Sequence, residues 1–189
     1  MSYFPMMINL DGKEVLVIGG GAEGLKKVKI LHDFGAVITL VAPDAEQEAI
    51  GLADRFAYRA FSDEDITGKN YALIVAATDD KDLNGRISAL ASSEHIPVNV
   101  VDDTERCTFI FPAIVKERDV VCAVSSGGKS PYVAQYVKKL INDVMPPSIG
   151  KINDRMGEYR MEAKKRFDTS EERRVFLLKR LKELLDEYL

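Results

Sequence analysis

The chain has 189 residues, of which 46% are hydrophobic and 30% charged, a balance typical of a soluble globular protein. Its formal net charge of −4 disfavours nucleic-acid binding, which usually needs a basic face. No apolar run approaches the length of a membrane span, and the first residues lack the basic and apolar regions of a signal peptide. Cys107 and Cys122 are too far apart for a paired-cysteine zinc motif. We therefore expect a cytoplasmic protein with no membrane or nucleic-acid partner.

The first half of the chain alternates strand and helix patterns. In chain order we predict strands at 15–18, 37–41, 55–59, 71–77 and 97–101, and helices at 22–34, 43–52 and 79–93. The strand at 71–77 is almost wholly apolar, as expected at the centre of a parallel sheet that is covered on both faces. The repeating pattern predicts an α/β fold with a Rossmann-type, doubly wound parallel sheet, whose ligand lies at the carboxyl ends of the strands.

The pattern changes in the second half. Residues 109–115 and 120–124 are rich in apolar residues, and the polar segment between them predicts a β-hairpin. Ser130-Pro131 is typical of a helix start, and Pro146-Pro147 then separates two charge-rich helices. The last helix carries an apolar face that we interpret as a packing surface: Leu177, Leu178, Leu181, Leu184, Leu185 and Tyr188.

A glycine-rich turn follows the first strand. Gly19, Gly21 and Gly24 have the G-x-G-x-x-G spacing of a dinucleotide-binding turn. The first glycine permits the tight turn, the second lets the backbone approach a pyrophosphate, and the third lets helix and strand pack closely. The helix begins at Ala22 and Glu23, and its free N–H groups favour phosphate binding. We predict that these five residues contact a dinucleotide, rather than forming a glycine-rich turn alone.

The residues that would hold the ribose depart from the usual pattern. The fingerprint places an acidic residue about 20 residues after the glycines. In this chain the acid is late, since Asp44 follows Pro43. We assign both residues to the cofactor site. No arginine stands at this strand end to bind a 2′-phosphate, which favours NAD over NADP.

Two further strand ends carry polar residues. Thr78 and Asp79 follow the strand at 71–77, where small residues would let a cofactor lie against the backbone; an Asp at 79 or 80 equally suits a helix cap. Asp102 follows the strand at 97–101 and is a candidate general acid or base, with a solvated turn aspartate as an equal alternative.

A polar loop precedes the helix at Ser130. It contains Ser125, Ser126, Gly127, Gly128 and Lys129, whose hydroxyl, amide and ammonium groups favour carboxylates or phosphates; the alternative is a purely structural loop. It is not a P-loop, because Ala123 stands where that motif needs glycine. The two histidines lack metal-ligand spacing, so we predict no metal site in the chain.

Several of these stretches together resemble one family, the precorrin-2 dehydrogenases that form the N-terminal module of siroheme synthases. The resemblance covers about residues 5 to 150 and includes a short N-terminal strand before the first motif. The matching motifs are Leu10-Asp-Gly-Lys13, Val17-Ile-Gly-Gly-Gly21, Val41-Ala-Pro43, Ala76-Ala-Thr-Asp-Asp80, Asn99-Val-Val-Asp102, Phe109-Ile-Phe-Pro-Ala113 and Ala123-Val-Ser-Ser-Gly-Gly128.

The resemblance implies a function and a domain organisation. It implies NAD⁺-dependent oxidation of precorrin-2 to sirohydrochlorin by a homodimer. The implied domains are an NAD-binding domain at 1–112, a dimerisation region at 113–145 and a helical domain at 146–189. The family's essential aspartate falls on Asp102, and its substrate-facing serine loop matches the loop around Ser126. Arg106, Lys129 or the loop amides would hold the carboxylates of the substrate.

Two alternatives stay open at this point. Some family members also insert Fe²⁺ into sirohydrochlorin to give siroheme. The chain has no soft-ligand cluster for Fe²⁺, so insertion would rely on the macrocycle's nitrogens with Asp102 moving protons, and the sequence disfavours it. A non-catalytic NAD-sensing module with a partner-binding helical tail is the alternative to an enzyme. Glu23 also departs from the family pattern and would be unfavourable beside a pyrophosphate unless it points away.

Overall fold

The computed structural model describes residues 3–188. Met1 and Ser2, which begin the first predicted domain, and Leu189, which ends the last, lie outside the described residues. The chain divides into two compact units, one up to Phe111 and the other from Pro112 onward. The further division of the second unit at 145/146 stays a prediction.

The first unit is built on a five-stranded parallel sheet. Its elements are β1 (Glu14–Gly20), α1 (Ala22–Asp33), β2 (Val37–Ala45), α2 (Gln47–Leu52), β3 (Arg55–Tyr58), β4 (Leu73–Ala76), α3 (Lys81–Ser93) and β5 (Val98–Val100), with 3-10 turns at Asp63–Asp65 and Thr104–Arg106. The strand order is β3-β2-β1-β4-β5. The strands β2 and β3 therefore extend the sheet to one side of β1, whereas β4 and β5 extend it to the other side. A ligand crevice is expected where this order changes, at the carboxyl ends of β1 and β4.

Both faces of this sheet are buried. Val15, Leu16, Val17 and Ile18 of β1 are all fully or almost fully buried, although successive strand residues point to opposite faces. On one face Leu16 and Ile18 pack in a cluster that includes residues of α3; on the other, Val15 and Val17 pack with residues of α1. The prediction of a doubly wound parallel sheet is confirmed.

The second unit contains a two-stranded antiparallel sheet and helices. Its elements are β6 (Ala113–Glu117), β7 (Val120–Val124), α4 (Pro131–Val144), α5 (Ile149–Arg166) and α6 (Ser170–Tyr188). The predicted hairpin is present, and its tight turn holds Arg118 with a positive φ of 54°. Of the predicted apolar face on α6, only Leu184 is buried and Leu178 remains 52% exposed.

Four predicted elements differ from the structure. The helix predicted at 43–52 begins only at Gln47, because β2 continues through Ala45 to pair with Gly20. No strand is assigned at residues 3–10, where the resemblance implied one. The strand predicted at 109–115 begins at Ala113. The charge-rich tail after Pro146-Pro147 forms two helices instead of one, since the chain becomes non-helical between Arg166 and Ser170.

None of the helices within residues 3–188 combines the length and apolar character that crossing a membrane would need.

Candidate functional site

The glycine turn at the end of β1 is packed too tightly for side chains at Gly19, Gly20 and Gly24. Gly19 has a φ of +104°, and a Cβ atom there would lie 2.3 Å from the carbonyl oxygen of Ala77. A Cβ atom on Gly24 would lie 2.1 Å from the carbonyl oxygen of Gly19. These glycines are therefore required by contacts within the protein, whether or not a ligand binds.

Gly21 is different, because no contact among the described residues requires glycine there. A Cβ atom on Gly21 would meet no atom within 4 Å. Gly21 is the N-cap of α1 and has no side chain to cap the helix, so the space beside this N-cap is open. Such an end, with its free N–H groups and no side chain in front of it, fits the pyrophosphate of a dinucleotide.

The Glu23 carboxylate is neutralised within its own helix. Its Oε1 atom accepts a hydrogen bond from Lys26 Nζ at 2.5 Å. This hydrogen bond and the charge of Glu23 raise the pKa of Lys26 above its ordinary value. The ion pair reduces the repulsion that Glu23 would exert on a phosphate at the helix N-terminus. A direct contact of Ala22 or Glu23 with a cofactor stays a prediction.

The end of β2 lies beside the glycine turn. Gly20 pairs with Ala45, and the Glu46 N–H donates to the Gly20 carbonyl oxygen at 2.9 Å. Pro43 and Asp44 are therefore exposed at the edge of the crevice, and Asp44 Oδ1 accepts a hydrogen bond from the Ala45 N–H at 2.9 Å. The structure brings this carboxylate to the glycine turn, as an acid that holds a ribose would require, although it comes late in the sequence.

A buried asparagine holds the loop that follows β4. Asn84 Oδ1 accepts hydrogen bonds from the Thr78 hydroxyl at 2.7 Å and the Thr78 N–H at 3.3 Å, and Asn84 Nδ2 donates to the Thr78 carbonyl oxygen at 2.8 Å. Asp80 caps α3 by accepting from the N–H groups of Asp82 and Leu83. Asp79 is exposed, and it is Asp80 that fills the capping role.

We expect Asn84→Ala to lower the free energy of unfolding by about 1–3 kcal/mol, because the partly buried N–H and carbonyl groups of Thr78 lose their hydrogen bonds to Asn84. Urea denaturation followed by circular dichroism measures the change. Ser93→Ala is the matched control: Ser93 lies on the same helix, but its hydroxyl donates to Leu90 at an exposed position. The control should change stability by about 0.5 kcal/mol or less. Equal effects of the two substitutions would contradict a clamping role for Asn84.

Asp102 lies in a turn at the carboxyl end of β5. It has a positive φ of 59° and is exposed, and its carboxylate makes no hydrogen bond or ion pair with the described residues. Aspartate tolerates this left-handed conformation better than most residues do. The carboxylate is therefore presented to solvent at the same sheet edge as the glycine turn.

The thiol of Cys107 holds this turn together. Its Sγ atom accepts a hydrogen bond from the Val100 N–H at 3.1 Å and lies 3.2 Å from the carbonyl oxygens of Val100 and Asp103, either of which can accept the S–H hydrogen. Burial raises the pKa of the Cys107 thiol, which keeps this donor protonated. Val100 and Asp103 lie on either side of Asp102 in the sequence, so the contacts of Cys107 support the turn that carries Asp102. The sequence offered no signal for this role, since a lone cysteine has no motif.

Arg106, which we predicted to bind substrate, is engaged within the first unit. Its NH1 atom donates to the Lys81 carbonyl oxygen at 3.1 Å and lies 3.4 Å from Asp103 Oδ2. The guanidinium also lies against Gly85, where a Cβ atom would come within 3.0 Å of it. These contacts give Arg106 a structural role, and its binding of substrate stays a prediction.

The serine loop in the second unit is organised by its own hydrogen bonds. Ser125 Oγ accepts from the Gly127 N–H at 3.0 Å, and Ser126 Oγ accepts from the Ser130 N–H at 3.0 Å. Gly127 and Gly128 have φ angles of +65° and +79°. The side chain of Lys129 is exposed and pairs with no carboxylate among residues 3–188. The loop therefore presents an ammonium group, and neither serine hydroxyl donates a hydrogen bond to another of the described residues.

No group of three or more histidine, cysteine, aspartate or glutamate side chains suited to a metal ion occurs in the described part of the chain.

Comparison with known proteins gives consistent matches. Residues 6–113 match a family model described as putative NAD(P)-binding. The siroheme synthase of Ectopseudomonas mendocina (strain ymp) is 40% identical over 178 residues, and that of Pseudoalteromonas translucida (strain TAC 125) is 39% identical over 180. Each alignment covers 93% of this chain but only 38% of the relative, so the chain spans well under half the length of these proteins.

A solved structure shares the fold of nearly the whole chain. "SirC, precorrin-2 dehydrogenase" matches with a TM-score of 0.71 and 23% identity, over 98% of both chains. With the family model covering the glycine turn, Asp44, Thr78 and Asp102, the chain belongs to the putative NAD(P)-binding family.

Proposed function

We propose that the chain is a cytoplasmic, NAD-dependent dehydrogenase that oxidises precorrin-2 to sirohydrochlorin and acts as a homodimer. The observation that carries the proposal is the exposed carboxylate of Asp102, which pairs with no group among residues 3–188 and lies at the same edge of the sheet as the glycine turn. The names of the relatives, siroheme synthase and precorrin-2 dehydrogenase, support this choice of substrate. The thiols of Cys107 and Cys122 are free, which supports a reducing compartment.

The reaction assigns different tasks to the glycine turn and to Asp102. When bound, NAD⁺ supplies the acceptor for a hydride from a macrocycle C–H bond. The glycine turn and the N-terminus of α1 bind the pyrophosphate of the cofactor. Asp102 accepts the proton that the macrocycle loses as its new double bond forms. The products are sirohydrochlorin, NADH and one proton, which Asp102 later releases to solvent.

The serine loop would bind the carboxylate groups of the substrate. Precorrin-2 is a flexible macrocycle rich in carboxylates. Lys129 offers a mobile positive charge, and the hydroxyls of Ser125 and Ser126 offer hydrogen-bond donors. Gly127 and Gly128 add no side chains that would crowd a carboxylate, while the Gly127 N–H is already donated to Ser125 Oγ. The flexible lysine and the rotatable hydroxyl groups can adjust to carboxylates in different positions, so they suit a substrate that carries several carboxylates.

The cofactor preference follows from Asp44. Its exposed carboxylate lies beside the glycine turn, where a ribose 2′-hydroxyl can donate a hydrogen bond to it. A 2′-phosphate at the same place would be repelled by the like charge. We therefore propose NAD⁺ in preference to NADP⁺.

An anaerobic assay tests the function. The purified chain is mixed with precorrin-2 and NAD⁺, and NADH absorbance and the sirohydrochlorin spectrum are followed together. We expect both signals to rise in equal amounts, and more slowly with NADP⁺. NAD⁺ binding without turnover would favour the non-catalytic sensing module. Adding Fe²⁺ or Co²⁺ after the oxidation tests whether the chain also inserts a metal, which would appear as the metallated spectrum.

The homodimer is proposed from an apolar surface on α4. Tyr132 is 85% exposed, Tyr136 63% and Val144 80%, and with Leu140 they recur every four residues, so they line one side of the helix. The adjacent sheet has only the strands β6 and β7, and an isolated two-stranded sheet is marginally stable in water. A second copy of the chain packed against this surface would bury the apolar residues and support the sheet.

We expect Tyr136→Glu to convert the dimer to a monomer, because the substitution places a charge inside an apolar interface. The dissociation constant should rise by roughly 100-fold. Size-exclusion chromatography with light scattering at several protein concentrations measures the change. Tyr58→Glu is the control, since Tyr58 is 73% exposed but lies in the first unit. A Tyr136→Glu protein that stays dimeric would contradict this interface.

A further inference from the structure

Lys27 of α1 has a side chain that is half-buried and unusually placed. Its Nζ atom lies 4.7 Å from the centre of the Phe111 ring, in the position of a cation–π contact. Glu23 stands four residues earlier, the right spacing for an ion pair. However, the Glu23 carboxylate binds Lys26 instead. Among residues 3–188, no carboxylate lies within ion-pair distance of the Lys27 ammonium group.

The surroundings of Lys27 come from several segments of the first unit. Glu23 and Lys26 act on its charge from the same helix, while Asp102 acts on it from the turn after β5. Burial is the largest of these effects and lowers the pKa of Lys27, whereas the negative charge of Asp102 works in the opposite direction. A partly desolvated ammonium group without an anionic partner is unfavourable, and an anion at this place would relieve the cost.

We propose that Lys27 binds a carboxylate group of the substrate next to Asp102. The proposal deepens the proposed function and rests on it. A substrate that brings several carboxylates close to Asp102 needs a positive charge there to offset the repulsion. Phe111 holds the ammonium group in place and limits its freedom before the substrate arrives. A charged hydrogen bond from Lys27 then anchors the macrocycle with its reacting carbon near the Asp102 carboxylate.

The pyrophosphate of the cofactor is the competing anion. It would lie at Gly21, where the space beside the N-cap of α1 is open. Lys27 comes more than one helical turn later and contacts Phe111, which belongs to the segment after β5. Phe111 packs against the same hydrophobic cluster as Val101, the residue before Asp102, which favours the substrate side of the crevice for the Lys27 ammonium group.

The first test replaces Lys27 with methionine, which keeps an apolar stem against Phe111 and removes the charge. We expect Lys27→Met to raise KM for precorrin-2 by roughly 10- to 100-fold, with KM for NAD⁺ unchanged. Lys27→Arg keeps the charge and should recover most of the affinity. Lys29→Met is the matched control on the same helix, because Lys29 is exposed and pairs with Glu48 at 2.8 Å. It should leave both KM values unchanged.

The second test uses pH and the reaction product, and needs no turnover. Sirohydrochlorin fluorescence measures its affinity for wild type and Lys27→Arg between pH 7 and 10. The pKa of Lys27 is lowered from its ordinary value of 10.5, so the lysine loses its charge at a pH below 10.5. Wild type should therefore lose affinity for sirohydrochlorin toward the upper end of this pH range. Lys27→Arg keeps its charge throughout the range and should keep its affinity. Identical pH profiles would overturn the proposal.

The outcomes separate the proposal from the function on which it rests. Normal wild-type turnover with an unchanged KM for precorrin-2 in Lys27→Met overturns the role of Lys27 alone. A rise in KM for NAD⁺ instead would assign the lysine to the pyrophosphate and also overturn the proposal. A wild-type chain that neither turns over precorrin-2 nor binds sirohydrochlorin overturns both.

Discussion

The Asp102→Asn variant is expected to lose precorrin-2 oxidation almost completely, with kcat/KM lowered by about 100- to 10,000-fold. Asparagine has nearly the same shape as aspartate but cannot accept the proton that the macrocycle releases. It also tolerates the positive φ of 59° at this position, so the turn held by Cys107 should keep its conformation. Initial rates of NADH formation under anaerobic conditions measure the loss, and isothermal titration with NAD⁺ checks that the cofactor still binds.

The neighbouring carboxylate provides the control. Asp103 accepts a hydrogen bond from the Arg106 N–H and is engaged with its guanidinium, so it is tied into the 3-10 turn. We expect Asp103→Asn to cost a little stability and to leave the rate within a few-fold of wild type. If Asp102→Asn also turns over precorrin-2 within a few-fold of the wild-type rate, Asp102 is not the base and the proposed mechanism is wrong.

Adding the same methyl group at two positions of the glycine turn should have opposite consequences. In Gly24→Ala the new Cβ atom would lie 2.1 Å from the Gly19 carbonyl oxygen, so strand and helix must separate. We expect the free energy of unfolding to fall by about 3 kcal/mol. In Gly21→Ala the Cβ atom meets no protein atom within 4 Å, so stability should stay within about 1 kcal/mol of wild type. The methyl group would then occupy the space that we propose for the pyrophosphate.

The expected loss in Gly21→Ala is therefore in binding. The dissociation constant for NAD⁺ should rise by roughly 10- to 100-fold, as for a steric clash of 1–3 kcal/mol. Thermal unfolding and NAD⁺ titration on both variants give the two readouts independently. Wild-type NAD⁺ affinity in Gly21→Ala would mean that the pyrophosphate does not lie at the N-terminus of α1.

The sheet and the glycine turn were predictable because their signals are local. An apolar strand pattern, three spaced glycines and a helix pattern lie together between 15 and 34. The start of α2 was not predictable from the same kind of signal. Pro43 suits the first turn of a helix, but β2 continues past it because Ala45 pairs with Gly20 and the Glu46 N–H binds the Gly20 carbonyl oxygen. Tertiary pairing overrides local preference at this point.

The support of the candidate site was less predictable, because its contacts join residues that are distant in sequence or lack a motif. Asn84, in the first turn of α3, binds Thr78 in the loop before that helix. Cys107 binds backbone groups of the turn that contains Asp102. Lys27 could not be distinguished from the adjacent Lys26 by composition. The difference between them is which lysine Glu23 binds and which one packs against Phe111. The choice of precorrin-2 came from family resemblance, because an anion-binding loop alone does not identify a substrate.

The clamp between Asn84 and Thr78 has a consequence for the entropy of cofactor binding. The loop after β4 loses its conformational freedom when the protein folds, because Thr78 is held at its N–H, its hydroxyl and its carbonyl oxygen. A dinucleotide that contacts this loop therefore meets a surface that is already ordered. Its association carries little of the unfavourable entropy that a flexible loop would add, so the affinity does not depend on induced closure of this segment.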